Sequence, residues 1–280
     1  MIDTHAHLDF ENFDDDREEV IRRAFDNGVK AIINIGVDLE TSRKSIALTE
    51  KYENIFAAVG FHPHDAGEIL NLPSEDDFAE LKNLAIHKKV VAIGEIGLDY
   101  TRFKEAKQIE KQKELFIRQL NIANELGLPI VIHCREAWSD LYEIIKSEVF
   151  QSPFLKFVLH CYSGNEKDTE KFLELPNAHF SFSGNITYPP RKSPSSLPPR
   201  QTSSPFNKGG EVEDVIRMIP LERIMLDSDS PFLAPQAMRG KRNEPAHIRY
   251  IAEKIAEIKE ISGEEVERIT DLNAIEFFGI

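Results

Sequence analysis

Cysteine is scarce in this 280-residue chain, which has only Cys134 and Cys161. Two cysteines cannot build the disulfide framework of a small secreted domain, so a reducing cytoplasm is the expected compartment. Long apolar runs are missing too. None approaches the roughly 18 residues that a membrane-spanning helix needs. The chain enters its first predicted strand at Ile2, with no basic segment and apolar stretch ahead of it, so no secretory leader is expected. Positive charge is in deficit: 34 Lys plus Arg against 48 Asp plus Glu leave a net charge of −14. That argues against a broad basic surface for duplex DNA. It does not argue against a nucleic acid held locally at a metal ion, where the ion's own charge dominates.

What is present is a chain with a real core. Hydrophobic residues make up 41% and charged residues 29%, ordinary for a soluble globular protein. The length suits two domains or one large α/β barrel. Residues 29–35 form a near-continuous apolar run closed by Gly36, as a strand buried on both faces would. Seven more strands are predicted at 2–8, 55–61, 90–94, 129–133, 155–160, 179–183 and 223–227. Helical spacing covers 17–25, 39–52, 74–87, 106–126, 137–149, 166–175 and 212–219, and resumes from Pro245. Eight strands, each followed by a helix, is the count of a (β/α)8 TIM barrel, with a doubly wound open sheet as the main alternative. One segment breaks the rhythm. Residues 189–210 contain six prolines, five serines and four basic residues, with no acid. Their composition is that of a disordered loop, and they read as an insertion after the seventh strand of a single domain spanning 1–280.

Asp3-Thr4-His5-Ala6-His7 puts two histidines on one strand face, with Asp3 beside them, because side chains alternate with period 2. Two imidazoles on one face make half a metal site, although a surface or hydrogen-bonded pair has the same spacing. The chain supplies more. His62 and His64 follow the third predicted strand, Glu95 the fourth, His133 the fifth and His160 the sixth, while Asp227 and Asp229 follow the eighth. In a barrel all of these open onto the C-terminal face, where such enzymes keep their active sites, and this favours the barrel over the open sheet. Taken singly, His133 reads as a core histidine and Glu95 as a capping acid; together at one end they point to a shared site. His87, His179 and His247 fall elsewhere and are read as structural. Cys134 and Cys161 each follow a proposed ligand, so alternation turns them away as small buried hydrophobes.

With these motifs the chain resembles the TatD family of metal-dependent hydrolases, within the amidohydrolase-like barrels, over essentially its whole length. The matches are Asp3-Thr4-His5-Ala6-His7-Leu8, Gly60-Phe61-His62-Pro63-His64 and Gly94-Glu95-Ile96-Gly97-Leu98-Asp99-Tyr100. They continue with Ile132-His133-Cys134-Arg135-Glu136-Ala137, His160-Cys161-Tyr162-Ser163-Gly164, Asp229-Ser230-Pro231-Phe232-Leu233 and Gly240-Lys241-Arg242-Asn243-Glu244-Pro245. The resemblance implies a barrel carrying two divalent metals and acting as a deoxyribonuclease, often of 3′-to-5′ exonuclease type. By position, His5, His7 and Asp229 would bind one ion with Glu95, while Glu95, His133 and His160 bind the other. Glu95 would bridge the two, and Asp229 would be both ligand and general base. His62, His64 and Arg135 would contact phosphate, Arg135 through its forked donors. The donor set suits Zn, Mn or Co, and Mg where water fills positions. DNA is the expected partner, with no membrane contact and a monomeric chain.

Two departures from the family accompany these matches. The family usually has Glu-Thr-Asp where this chain has Asp227-Ser228-Asp229, and it lacks the Pro/Ser-rich stretch, a helix beginning soon after Tyr188 instead. Asp227 and Asp229 share a face by period 2, so spacing alone does not choose between them. The competing enzyme reading is hydrolysis of a small ester, lactone or amide, or of an aminoacyl-tRNA ester. Glu95 leans against the amidohydrolases that bridge their metals with a modified lysine there. A metal-binding scaffold with a decayed site is the non-enzymatic reading, and the intact ligand set argues against it.

Overall fold

A computed structural model describes residues 1–65, 72–151, 155–189 and 211–280. Eight parallel strands pair in chain order: β1 (Ile2–Ala6), β2 (Ala31–Ile35), β3 (Ile55–Val59), β4 (Val90–Asp99), β5 (Ile130–Arg135), β6 (Phe157–Leu159), β7 (Ala178–Phe182) and β8 (Ile224–Leu226). The helices between them are α1 (Arg17–Asp26), α2 (Leu39–Lys51), α3 (Glu75–Ala85), α4 (Ala106–Leu126), α5 (Trp138–Gln151), α6 (Glu166–Leu173) and α7 (Glu211–Met218). Two more, α8 (Ile248–Lys259) and α9 (Gly263–Phe278), follow β8. This is the (β/α)8 barrel that the strand count predicted. Among the described residues no helix is long and apolar enough to cross a membrane. Of the Pro/Ser-rich stretch, all but Pro189 lies outside the described residues.

The sheet closes through polar groups. Thr4 Oγ1 donates to the Leu226 carbonyl at 2.9 Å, and the Ser228 N–H donates to Asp3 Oδ1 at 2.9 Å. The Asp229 N–H reaches the His5 carbonyl at 3.0 Å, and the His7 N–H reaches the Ser230 carbonyl at 2.8 Å. These bonds stitch β1 to the turn after β8. Burial pushes Asp3, which pairs in register with the outward Ile32 ahead of a register shift in β1, up to about 8, and its carboxyl serves the closure by accepting the Ser228 N–H.

Alternation sorts the strands into two layers. Outward residues such as Ile32, Val59, Ile93, Ile132, Leu159 and Phe180 pack against helix stripes that include Val20, Ile21, Leu115, Phe116 and Leu120. Inward residues Ile33, Ile35, Ala58, Val131, Val158 and Met225 fill the lower barrel, which Phe277 and Phe278 of α9 close. Two residues further along the same strands, the inward side chains are His133, His160 and Asp227. An apolar floor thus lies under a polar ceiling, and the ceiling is the C-terminal face.

The largest departure from the predicted boundaries is at β4. β4 was expected to end at Gly94 but runs to Asp99, pairing Ile96, Gly97, Leu98 and Asp99 with Ile132, His133, Cys134 and Arg135. Gly97 sits at φ +144°, and a Cβ there would lie 2.0 Å from the His133 carbonyl oxygen. Here glycine permits close strand pairing. The strand leading to His7 ends at Ala6, and β6 and β8 are only three residues long.

Candidate metal centre

Glu95 stands at the middle of the C-terminal face. The β4–β5 register shifts between Ile93 and Ile96, a bulge that re-aims the intervening side chain. Gly94 makes this possible, since a Cβ there would fall 2.6 Å from Val131 Cβ. The buried Glu95 carboxylate gathers five imidazoles. Its Oε1 lies 2.8 Å from His133 Nδ1, 3.2 Å from His160 Nε2 and 3.7 Å from His62 Nε2. Its Oε2 lies 3.5 Å from His5 Nε2 and 3.7 Å from His7 Nε2. Burial works to raise Glu95, but His160, His62 and His133 outweigh it and hold the group well below the usual carboxylate range.

Three of the rings are set from behind. His7 Nδ1 donates to the Ile35 carbonyl at 3.0 Å, so its Nε2 presents a lone pair. His133 Nε2 meets Asp99 Oδ2 at 3.1 Å, and His160 Nδ1 lies 3.5 Å from Asp227 Oδ2. In each case the far nitrogen faces an acceptor and the near one faces Glu95. Histidines that bind metals are held in this way. His7 Nε2 is 3.1 Å from His5 Nε2, with Asp229 Oδ1 3.8 Å from the first and 3.9 Å from the second. Nitrogens converging between two carboxylates suit a divalent cation. Three sets, His5/His7/Asp229, His5/Glu95/His160 and His62/Glu95/His133, each bring their ligand atoms within 4.8 Å of one another.

His62 is wired differently. The backbone N–H of His64 donates to His62 Nδ1 at 3.2 Å, which leaves the proton of the neutral ring on Nε2. Burial holds the ring well below its usual value and hence neutral. Its Nε2–H is therefore a donor aimed at Glu95. His64 Nε2 meets Asp99 Oδ2 at 3.1 Å, so one buried carboxylate serves both His64 and His133. Arg135 is exposed at the end of β5, and Glu136 pairs with Lys104 at 3.4 Å. Burial pushes both thiols well above their usual value. Cys134 is buried as expected, whereas Cys161 lies past the end of β6 with φ 44°, where strand alternation no longer applies.

The two acids after β8 separate clearly. Asp227 is fully buried and accepts from the hydroxyls of Ser181 and Ser183 and from the Cys161 N–H. It stands behind His160. Asp229 sits in the left-handed region at φ 51° and turns its carboxylate to His5 and His7. Burial first, then the like charges of Asp227 and Glu95, push it up to about 7, with His160 working the other way. Of the five non-glycine residues with positive φ among the described residues, four (Glu136, Cys161, Asp229 and Leu233) follow strands on this face. Backbone strain gathers there, as it does at functional sites.

Sequence reasoning missed the groups that hold this face in place. Gln112 and Gln119, two turns apart on α4, point into the core. Gln119 accepts the Phe61 N–H at 2.7 Å and donates to the Phe61 carbonyl at 2.9 Å. Gln112 does the same for Asp99, at 2.7 and 3.0 Å. Each clamps the backbone beside a site residue, His62 in one case and Asp99 itself in the other. The legible signal was two glutamines, seven residues apart, on the apolar stripe of Leu115, Phe116, Leu120 and Ala123.

The sequence pattern of the TatD-related DNases matches residues 2–279. The chain belongs to that family. This TatD-family protein is a metal-dependent hydrolase, and its relatives match end to end. It is 39% identical over 280 residues to the uncharacterised metal-dependent hydrolase YabD of Bacillus subtilis, covering 100% of this chain and 99% of the relative. It is 30% identical over 284 residues to the 3′-5′ ssDNA/RNA exonuclease TatD of Shigella flexneri, with coverage of 100% and 99%. The crystal structure of YJJV, a TatD homologue from Escherichia coli, superposes with a TM-score of 0.84 at 29% identity, over 100% of this chain and 98% of that one.

Proposed function

We propose that this TatD-family hydrolase cleaves phosphodiester bonds at the 3′ ends of single-stranded DNA, using two divalent ions. The observation that carries this reading is one buried carboxylate, Glu95, whose Oε2 faces His5 and His7, with Asp229 beyond them, and whose Oε1 faces His133, His160 and His62. When bound, two divalent ions supply an activated water and neutralise charge on the phosphate. Glu95 is shared between the two groups. Asp227 and Asp99 hold His160 and His133 in the orientation that leaves their near nitrogens free. Asp229 takes the water's proton. Its side chain is 15% exposed, against 5% for Glu95 and none for Asp227, so it borders the opening. The Nε2–H of His62 donates to a phosphate oxygen, His64 stands beside it, and Arg135 presents its fork at the rim. Single strands fit the charge: with −14 overall, phosphate is attracted at the pocket and not along a surface. Relatives named as 3′-5′ ssDNA/RNA exonucleases support the same substrate class.

The test is a panel of metals (Mg, Mn, Co, Zn) against single-stranded DNA, RNA, aminoacyl-tRNA and small esters. Metal-dependent release of mononucleotides from single strands is expected. Cleavage of esters alone, with every nucleic acid untouched, overturns the reading.

A further inference from the structure

Five large hydrophobic side chains are exposed among the described residues. Ile86, Ile117, Leu272 and Ile275 lie on or at the ends of outer helices. The fifth, Phe232, is 49% exposed and lies on the catalytic face, three residues after Asp229. Its backbone N–H donates to the Asp229 carbonyl at 2.8 Å, so the turn that aims Asp229 also fixes Phe232. The Phe232 ring meets His7 edge-on at 6.3 Å between centroids and Phe10 at 6.1 Å. Phe10 already covers His7, stacked at 4.6 Å and 21°. The open half of Phe232 is therefore not needed to seal the histidines. An exposed ring beside a phosphate site, in a chain with a deficit of positive charge, offers a strand something other than charge to hold.

We propose that Phe232, backed by Phe10, is a stacking platform for one unpaired nucleobase next to the scissile phosphate. The proposal rests on the nucleic-acid reading above and names the element that recognises the strand. A base has a π-face whatever its identity, so such a platform accepts any sequence but requires the base to be unstacked and unpaired. Preference for single-stranded ends then has a structural source apart from charge. Phe232 acts on binding and alignment, without proton transfer or contact with the reacting atoms.

The experiment measures equilibrium binding by fluorescence anisotropy, using single strands with non-hydrolysable phosphorothioate linkages. Each of the last three nucleotides is replaced in turn by an abasic one, and the wild type is compared with Phe232→Leu and Phe232→Tyr. At one of the three positions the abasic strand should bind the wild type roughly tenfold more weakly, the scale of one base–aromatic stack. Phe232→Leu should bind intact and abasic strands alike, Phe232→Tyr should restore the difference, and metal content should match in all three proteins. Equal binding of intact and abasic strands by the wild type overturns the platform while leaving the nuclease reading in place. So does a Phe232→Leu variant that weakens both strands by the same factor. Failure of the wild type to bind any strand overturns both.

Discussion

Asp227 and Asp229 illustrate how two identical side chains, two residues apart, come to different tasks. The short β8 ends at Leu226, so the extended backbone no longer forces both acids onto one face. Asp227 continues inward among the Ser181 and Ser183 hydroxyls, and the left-handed conformation of Asp229 swings it to His5 and His7. Asp229→Asn should lower turnover by roughly 10²–10⁴-fold, the scale of losing a positioned base. Asp227→Asn keeps the hydroxyl contacts but removes the charge behind His160, and should cost roughly 10–100-fold in metal affinity or activity. Steady-state kinetics with metal titration of both variants checks this ranking, and the reverse order contradicts the assignment. The aspartate found where the family usually has glutamate is filled in here by Ser181, Ser183 and the Cys161 N–H, which reach the shorter acid.

At the scale of elements, helix α4 does more than cover the sheet. Gln119 is fully buried and satisfies both backbone groups of Phe61, immediately before His62. Gln119→Leu is close to isosteric but leaves a buried N–H and a buried carbonyl unpaired, which should cost about 2–4 kcal/mol in stability. Thermal unfolding should register that as a fall in Tm of several degrees. An unchanged Tm contradicts the clamp. This element also marks where sequence reading stopped. Motifs such as His5-Ala6-His7 were legible because their ligand spacing is local, and the eight β/α units because their periodicity is. The tasks of Asp99, Gln112 and Gln119 depend on contacts between different elements, 13 to 58 residues apart, which no local pattern encodes. The extent of β4 was hidden for a related reason. Gly94 and Gly97 look like stops in the sequence, but the neighbouring β5 requires small residues there.

The whole molecule combines an apolar barrel floor, closed by α9, with a polar face held open above it. His179 sits at the floor against Phe277, 5.0 Å between ring centroids, and burial lowers it to about 4 from an ordinary 6.5. Between those values the unfolded chain takes up a proton that the folded protein resists, so stability is full above about pH 6.5 and declines as pH falls toward 4. The contribution is on the order of 3 kcal/mol. In metal-free protein, His179→Gln should flatten the fall of stability with pH across that window, as followed by urea unfolding; an unchanged slope contradicts it. The central claim concerns the other end of the barrel, where Glu95 joins two groups of side chains into one site. Titration of metal-free protein with manganese or zinc, counting bound ions by calorimetry, tests it most directly. Wild-type protein should bind two ions per chain, and Glu95→Gln should weaken both. One ion per chain, or none in a well-folded protein, or two ions held as tightly in Glu95→Gln as in the wild type, would contradict the account.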